Sequence, residues 1–168
     1  MTINQHDLPS LHQTNAEVIS YLLEPRNDNY IVACDSHGHR TTEEGLFHRL
    51  EQGNIRVLID AGASILEMDN KRLAETWLEI DPQAQAAVYF HKGKAMVRYR
   101  QGRIAPLIAT PFADNLEDCL VYIDEAHTRG TDMKLPQLAL GAVTLGLGQT
   151  KDHTVQGKQD GRMDANID

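Results

Sequence analysis

The chain has 168 residues, which is enough for one domain that buries its own hydrophobic core without a disulfide or a structural metal. Its 24 acidic residues outnumber its 16 lysines and arginines, and the net charge of −8 disfavours nucleic-acid binding, because contacts to phosphates need clustered cations. The sequence contains no apolar run of membrane-spanning length and its first residues lack the pattern of a secretory signal, so no membrane partner is predicted.

The amino-terminal half predicts helices and strands in alternation. Residues 1–10 are polar and aperiodic, and we expect them to be disordered. In chain order, the patterns then predict a helix over 16–23, a strand over 30–34, a helix from Thr42 to Gly53, a strand over 55–60 and a helix over 70–80. The strand over 55–60 is nearly all apolar and β-branched, as expected of a strand that is buried on both faces.

The second half begins with a β-meander. Glycines separate three short predicted strands, over 87–90, 95–99 and 104–108. A second strongly apolar strand follows at 120–123, and a third apolar run covers 138–145.

Strands and helices that alternate at these spacings predict an α/β domain. We expect a mixed, partly parallel sheet with flanking helices, in which the β-meander is an insertion. This single domain is predicted to cover residues 11–156 as a fragment of a larger protein. Residues 157–168 are polar and glycine-rich, and we expect them to be a disordered tail.

Carboxylates follow two of the predicted strands. Asp60 ends the first apolar strand, and Asp124 with Glu125 ends the second. In parallel α/β sheets, ligands bind at the carboxyl ends of strands, so these residues mark the edge where function is expected. For Asp60 the alternative is structural, because an aspartate after a strand often only caps the next turn.

The segment from Cys119 to Leu135 carries the densest chemistry, and two patterns overlap in it. Asp124-Glu125-Ala126-His127 after an apolar strand resembles the strand that presents a Mg²⁺-organising carboxylate in nucleotide hydrolases. Arg129-Gly130-Thr131-Asp132 resembles the loop that reaches the nucleotide from the second lobe of helicase-type motors. One strand end cannot fill both roles, and the second pattern fits its surroundings better. The chain has no phosphate-binding G-x-x-x-x-G-K-[ST] motif, so ATP hydrolysis by this chain alone is not expected and no cofactor is predicted.

A thiol hydrolase is a further possibility for the two cysteines. Cys119 could act with His127 as base and with Asp124 or Asp132 as the orienting acid. Cys34 could act in the same way with a neighbouring histidine, His37 or His39. The alternative for each cysteine is a small buried hydrophobe. Without a signal peptide, both are expected to be reduced thiols in the cytoplasm or nucleus.

No metal site is predicted. His37 and His39 are the only close pair among the eight histidines, and no C-x-x-C accompanies them.

Four blocks of the sequence resemble a segment of very large fungal proteins that are filed as ubiquitinyl hydrolases (ubiquitin thioesterases). The blocks are 55–63, 88–90 with Pro106-Leu107, 119–136 and 144–156. The resemblance implies thiol-dependent hydrolysis of ubiquitin conjugates, with ubiquitin as the partner and Cys119, His127 and Asp132 or Asp124 as the catalytic residues.

The same blocks also resemble the RecA-like second lobe of an ATP-driven motor, similar to the preprotein-translocase motor of bacteria. On that basis Arg129, Gly130 and Thr131 would contact a nucleotide. The partner would be a missing ATPase lobe that carries the phosphate-binding loop. A third interpretation is a remnant that folds but binds nothing.

Overall fold

A computed structural model of the protein describes residues 33–34, 37–128 and 133–145. The helices are α1 (Glu43–Gln52) and α2 (Asn70–Ile80). The strands are β1 (Val57–Ile59), β2 (Ala86–His91), β3 (Lys94–Tyr99), β4 (Ile104–Pro106), β5 (Cys119–Ile123) and β6 (Gly141–Val143). Single 3-10 turns occupy Leu107–Ala109, Pro111–Ala113 and Glu125–His127. The predicted first helix, most of the predicted strand over 30–34 and both predicted disordered ends lie outside the described residues.

The six strands form one mixed sheet in the order β4-β3-β2-β5-β1-β6. Strands β2, β5, β1 and β6 are parallel to one another, whereas β3 and β4 continue the sheet beyond β2 in antiparallel fashion. The predicted α/β class is therefore confirmed, and β2, β3 and β4 are the predicted meander.

Both helices begin at side-chain caps. The Thr42 hydroxyl accepts a hydrogen bond from the Gly45 N–H at 3.1 Å, and the Asp69 carboxylate accepts one from the Arg72 N–H at 2.8 Å. Such caps satisfy N–H groups that have no partner inside the helix. The helices meet through stacked rings of Phe47 and Trp77, whose centroids lie 5.7 Å apart.

The sheet is buried on both faces. Phe47, Trp77 and the other core side chains of both helices pack on one face with Leu58 and Leu120. Val57 and Val121 point to the opposite face, which is covered by irregular chain that includes Leu116. Burial on both faces explains why β1 and β5 are almost wholly apolar.

Two predicted strands are shorter in the structure. The strand predicted over 55–60 is regular only from Val57 to Ile59, and the one predicted over 104–108 ends at Pro106. A proline has no N–H to donate and belongs at a sheet edge, where β4 lies. Within the described residues, no helix has the length and apolar character needed to cross a membrane.

Candidate functional site

The polar site lies at the carboxyl edge of the parallel strands. Because β1, β2 and β5 are parallel, their last residues reach the same edge of the sheet, and α2 begins there after the loop that follows β1. This edge brings together Asp60, Asp124, His127 and Asn70, which the sequence separates by as much as 67 residues, from 60 to 127.

Asp124 and His127 form a side-chain pair. Asp124 caps the 3-10 turn, where one carboxylate oxygen accepts the His127 backbone N–H at 3.0 Å and lies 2.5 Å from the His127 ring atom Nδ1. The other oxygen accepts a hydrogen bond from the Asn70 side-chain amide, which also donates to the Phe90 carbonyl at 2.9 Å. The Phe90 ring stacks on the His127 ring with centroids 4.1 Å apart. The imidazole is therefore fixed on two sides.

Asp60 has a structural role. It is 2% exposed, and its carboxylate accepts hydrogen bonds from the Ser64 N–H at 2.7 Å, the Ile65 N–H at 3.0 Å and the Thr144 hydroxyl at 2.5 Å. The Tyr122 hydroxyl also donates to it at 3.4 Å. Burial, and then the charge of Asp60, raise the pKa of Tyr122. These contacts favour the structural alternative, in which Asp60 organises the turn that follows β1.

The same geometry bears on the Mg²⁺ interpretation. Both carboxylate oxygens of Asp124 are engaged by protein donors, and Glu125 is exposed to solvent. Within the described residues, no group of histidine, cysteine, aspartate and glutamate side chains has the arrangement of a metal site. The Asp124–His127 pair is instead suited to hold an imidazole in one orientation.

The structure does not bring Cys119 together with His127. Cys119 is the first residue of β5, and His127 follows the last one. The two ends of this strand are about 13 Å apart, because each residue of a β-strand advances the chain by about 3.3 Å. Cys119 is 2% exposed, and burial raises the pKa of its thiol to about 12. As a set, the predicted nucleophile and base are thus divided between opposite edges of the sheet. The physical reason is that an extended strand separates residues that are close in sequence.

Cys119 instead borders a cleft at the amino edge of the sheet. The cleft has a volume of about 910 Å³ and lies between the first residues of β1 and β5 and the segment 136–140. Arg56 lines it and donates to the Glu117 carbonyl and to the Gln83 side chain.

The second predicted cysteine site is only partly described. Cys34 pairs with Arg40 in an isolated β-bridge, and its carbonyl accepts a hydrogen bond from Arg49 at 3.2 Å. The rings of His37 and His39 stack on each other with centroids 6.2 Å apart.

The predicted nucleotide-contacting loop lies outside the described residues. Arg129, Gly130, Thr131 and Asp132 all belong to that gap. The residues that flank it, Thr128 and Met133, are described, and both are buried.

Sequence reasoning missed Asn70 and Phe90 as members of the site. Both contact the Asp124–His127 pair across long stretches of sequence, and nothing in their local pattern marks them. A weak signal was available for Asn70, because it begins the helix predicted over 70–80, and helices that follow a parallel strand begin at the carboxyl edge.

Comparisons with protein-family models, with curated proteins and with solved structures found no match. The fold and site thus define an α/β domain with a polar cluster at the carboxyl edge of its parallel strands. The resemblance of the four sequence blocks stays a prediction.

Proposed function

We propose that the chain is a non-catalytic second lobe of a helicase- or translocase-like ATPase motor. In this role it brings Arg129 and its neighbours to a nucleotide that a separate phosphate-loop lobe holds. The observation that carries the proposal is the position of β5, which is a buried strand between two parallel neighbours. In the sequence, the Arg129-Gly130-Thr131-Asp132 motif follows shortly after the carboxyl end of β5. In open α/β sheets this edge is where ligands bind.

The chain leading to that motif is firmly anchored, which supports the proposal. Asp124 is held by Asn70, and His127 is held by Asp124 and Phe90. The Thr128 hydroxyl donates to the Glu125 carbonyl at 2.9 Å and is itself buried. These contacts fix residues 124–128, which directly precede the motif in the sequence.

The proposed lobe is non-catalytic because the chain supplies no phosphate-binding motif in its sequence. Its acidic edge residues do not replace such a motif, since both carboxylate oxygens of Asp124 are already bonded within the protein. The lobe would therefore contribute an arginine and loop contacts, and its partner lobe would hold the phosphates and Mg²⁺.

A nucleotide-binding experiment tests the proposal. A fluorescent, non-hydrolysable ATP analogue is titrated into this chain, into a phosphate-loop lobe expressed from one of the large proteins that the sequence resembles, and into their mixture. We expect no binding to this chain alone, and binding by the mixture that is tighter than that of the phosphate-loop lobe. An arginine that contacts phosphate contributes roughly 1.5–3 kcal/mol, so Arg129→Ala should weaken the mixture about 10- to 100-fold.

Arg103→Ala is the matched control. Arg103 is an exposed arginine beside β4, at the edge of the sheet farthest from β6, and its removal changes the net charge by the same amount. Equal weakening by both variants, or no tighter binding by the mixture, would overturn the motor-lobe proposal.

Thiol-dependent hydrolysis of ubiquitin conjugates, with ubiquitin as partner, stays a prediction that rests on the sequence resemblance. The described geometry does not favour it, because Cys119 is buried and lies at the opposite end of β5 from His127. The predicted location in the cytoplasm or nucleus likewise stays a prediction.

A further inference from the structure

The loop between β1 and α2 directs four consecutive backbone N–H groups at two buried carboxylates. Ser64 and Ile65 donate to Asp60, as described above. Leu66 and Glu67 both donate to one oxygen of Glu43, at 2.6 and 2.7 Å. Glu43 belongs to the first turn of α1, so a side chain from a different element fills the second half of this arrangement.

Successive N–H groups that converge on one point form an anion-binding concavity. This one follows a parallel strand and precedes a helix, at the edge where nucleotide-binding α/β domains hold phosphate on backbone N–H groups. Here the position of the anion is taken by a carboxylate of the chain itself.

The hydrogen bonds that the Glu43 carboxylate accepts from described residues come from the loop. Glu43 is 2% exposed, and its second carboxylate oxygen, Oε2, is buried and has no hydrogen-bond partner. A buried carboxylate needs compensation for the water that it has lost. The described contacts supply that compensation through the Leu66 and Glu67 N–H groups, so these two groups act as the binding site and Glu43 acts as the bound anion.

We propose that residues 64–67 form an oxyanion-binding loop whose resident ligand is the Glu43 carboxylate, and that the loop binds a small carboxylate or phosphate once this side chain is removed. The inference stands apart from the motor-lobe proposal, and its failure would leave that proposal untouched.

Chemical rescue tests the inference. The atoms that Glu43→Ala removes beyond Cβ correspond to an acetate ion. Thermal unfolding of this variant is measured in acetate, in phosphate and in chloride at equal ionic strength. We expect acetate to raise Tm saturably, by about 5–10 °C when its concentration is about 100 times Kd, with no such rise for the intact chain. The phosphate arm shows whether the loop also accepts a larger oxyanion.

Glu44→Ala is the matched control. Glu44 is the next residue of α1, is exposed and carries the same charge. If Glu43→Ala folds but responds to acetate and phosphate no more than Glu44→Ala does, the inference is overturned.

A second measurement applies if Glu43→Ala does not fold in any of the anions. Glu43→Gln keeps the shape of the side chain and removes its charge. Hydrogen bonds to charged acceptors are shorter and stronger than those to neutral ones. We therefore expect the amide proton signals of Leu66 and Glu67 to move upfield in this variant, while those of Ser64 and Ile65 stay in place. Unchanged signals at Leu66 and Glu67 would overturn the inference.

Discussion

The thiol of Cys119 lies among apolar side chains at the amino end of β5, and the residue lines the cleft at the amino edge of the sheet. Burial raises the pKa of this thiol to about 12, so the thiol stays protonated at neutral pH. The thiolate is the reactive form of cysteine, so a thiol in this environment behaves as a small hydrophobe.

Replacing Cys119 tests this view of the residue. We expect Cys119→Ala and the intact chain to cleave a fluorogenic ubiquitin C-terminal substrate at the same rate, since the thiol is buried and lies at the opposite end of β5 from His127. The variant should lose about 1 kcal/mol of unfolding free energy because it removes buried volume. Cys34→Ala serves as the control. Loss of cleavage in a folded Cys119→Ala protein, with Cys34→Ala unaffected, would identify Cys119 as the nucleophile after all.

At the scale of secondary structure, local patterns predicted the elements well. The sequence predicted α2 with the bounds that the structure has, and the start of α1 at Thr42, because cap residues and apolar periodicity are short-range signals. The meander was predicted from glycines at its turns. The pairing of Asp124 with His127 was also within reach of the sequence, because the two residues lie one turn apart.

The rest of the site depends on sheet order, which local patterns do not contain. Strand β5 lies between β1 and β2, and the start of α2 therefore lies next to the end of β5. Asn70 contacts Asp124 because of this strand order. Cys119 and His127 were predicted as nucleophile and base from their residue types and from the family resemblance. Their separation follows from the extended geometry of the strand between them.

Asn70 connects the start of α2 with β2 and with the 3-10 turn after β5, so its substitution should lower the stability of the fold. Its amide donates both to Asp124 and to the Phe90 carbonyl, so Asn70→Asp places a second carboxylate against two acceptors. We expect a loss of about 2–4 kcal/mol in unfolding free energy, measured by urea denaturation. Asn115→Asp is the control, because the side-chain oxygen of Asn115 only accepts a hydrogen bond, from the Glu117 N–H, and aspartate can do the same. Equal effects of the two substitutions would contradict the proposed role of Asn70.

At the scale of the whole molecule, the central sheet buries a cysteine thiol and a tyrosine hydroxyl in their protonated form. Cys119 and Tyr122 both lie on β5, and burial raises the pKa of each. The folded chain therefore retains protons that the unfolded chain releases at alkaline pH. Their contribution to stability is complete below the unfolded thiol pKa, near pH 9, and declines as pH rises from there towards 12.

This linkage predicts the alkaline limb of the stability profile. Unfolding free energy, measured by urea denaturation between pH 8 and 12, should fall as pH rises, by at most about 1.4 kcal/mol per pH unit for each group. Cys119→Ala should make the fall of unfolding free energy above pH 9 less steep. Cys34→Ala, which also has one cysteine fewer, is the control variant. A profile that Cys119→Ala leaves as steep as before would show that the buried thiol does not govern it.

The order of strands in the sheet also dictates how the chain can be assembled as it is synthesised. Strand β5 lies between β1 and β2, yet it is made after both of them. Until residue 123 has been added, β1 and β2 face a gap that no other described strand fills, and each presents an unpaired edge that invites pairing with other chains. A chain that stops before Cys119 would therefore be expected to aggregate, whereas the local meander of β2, β3 and β4 can close as soon as it has been made.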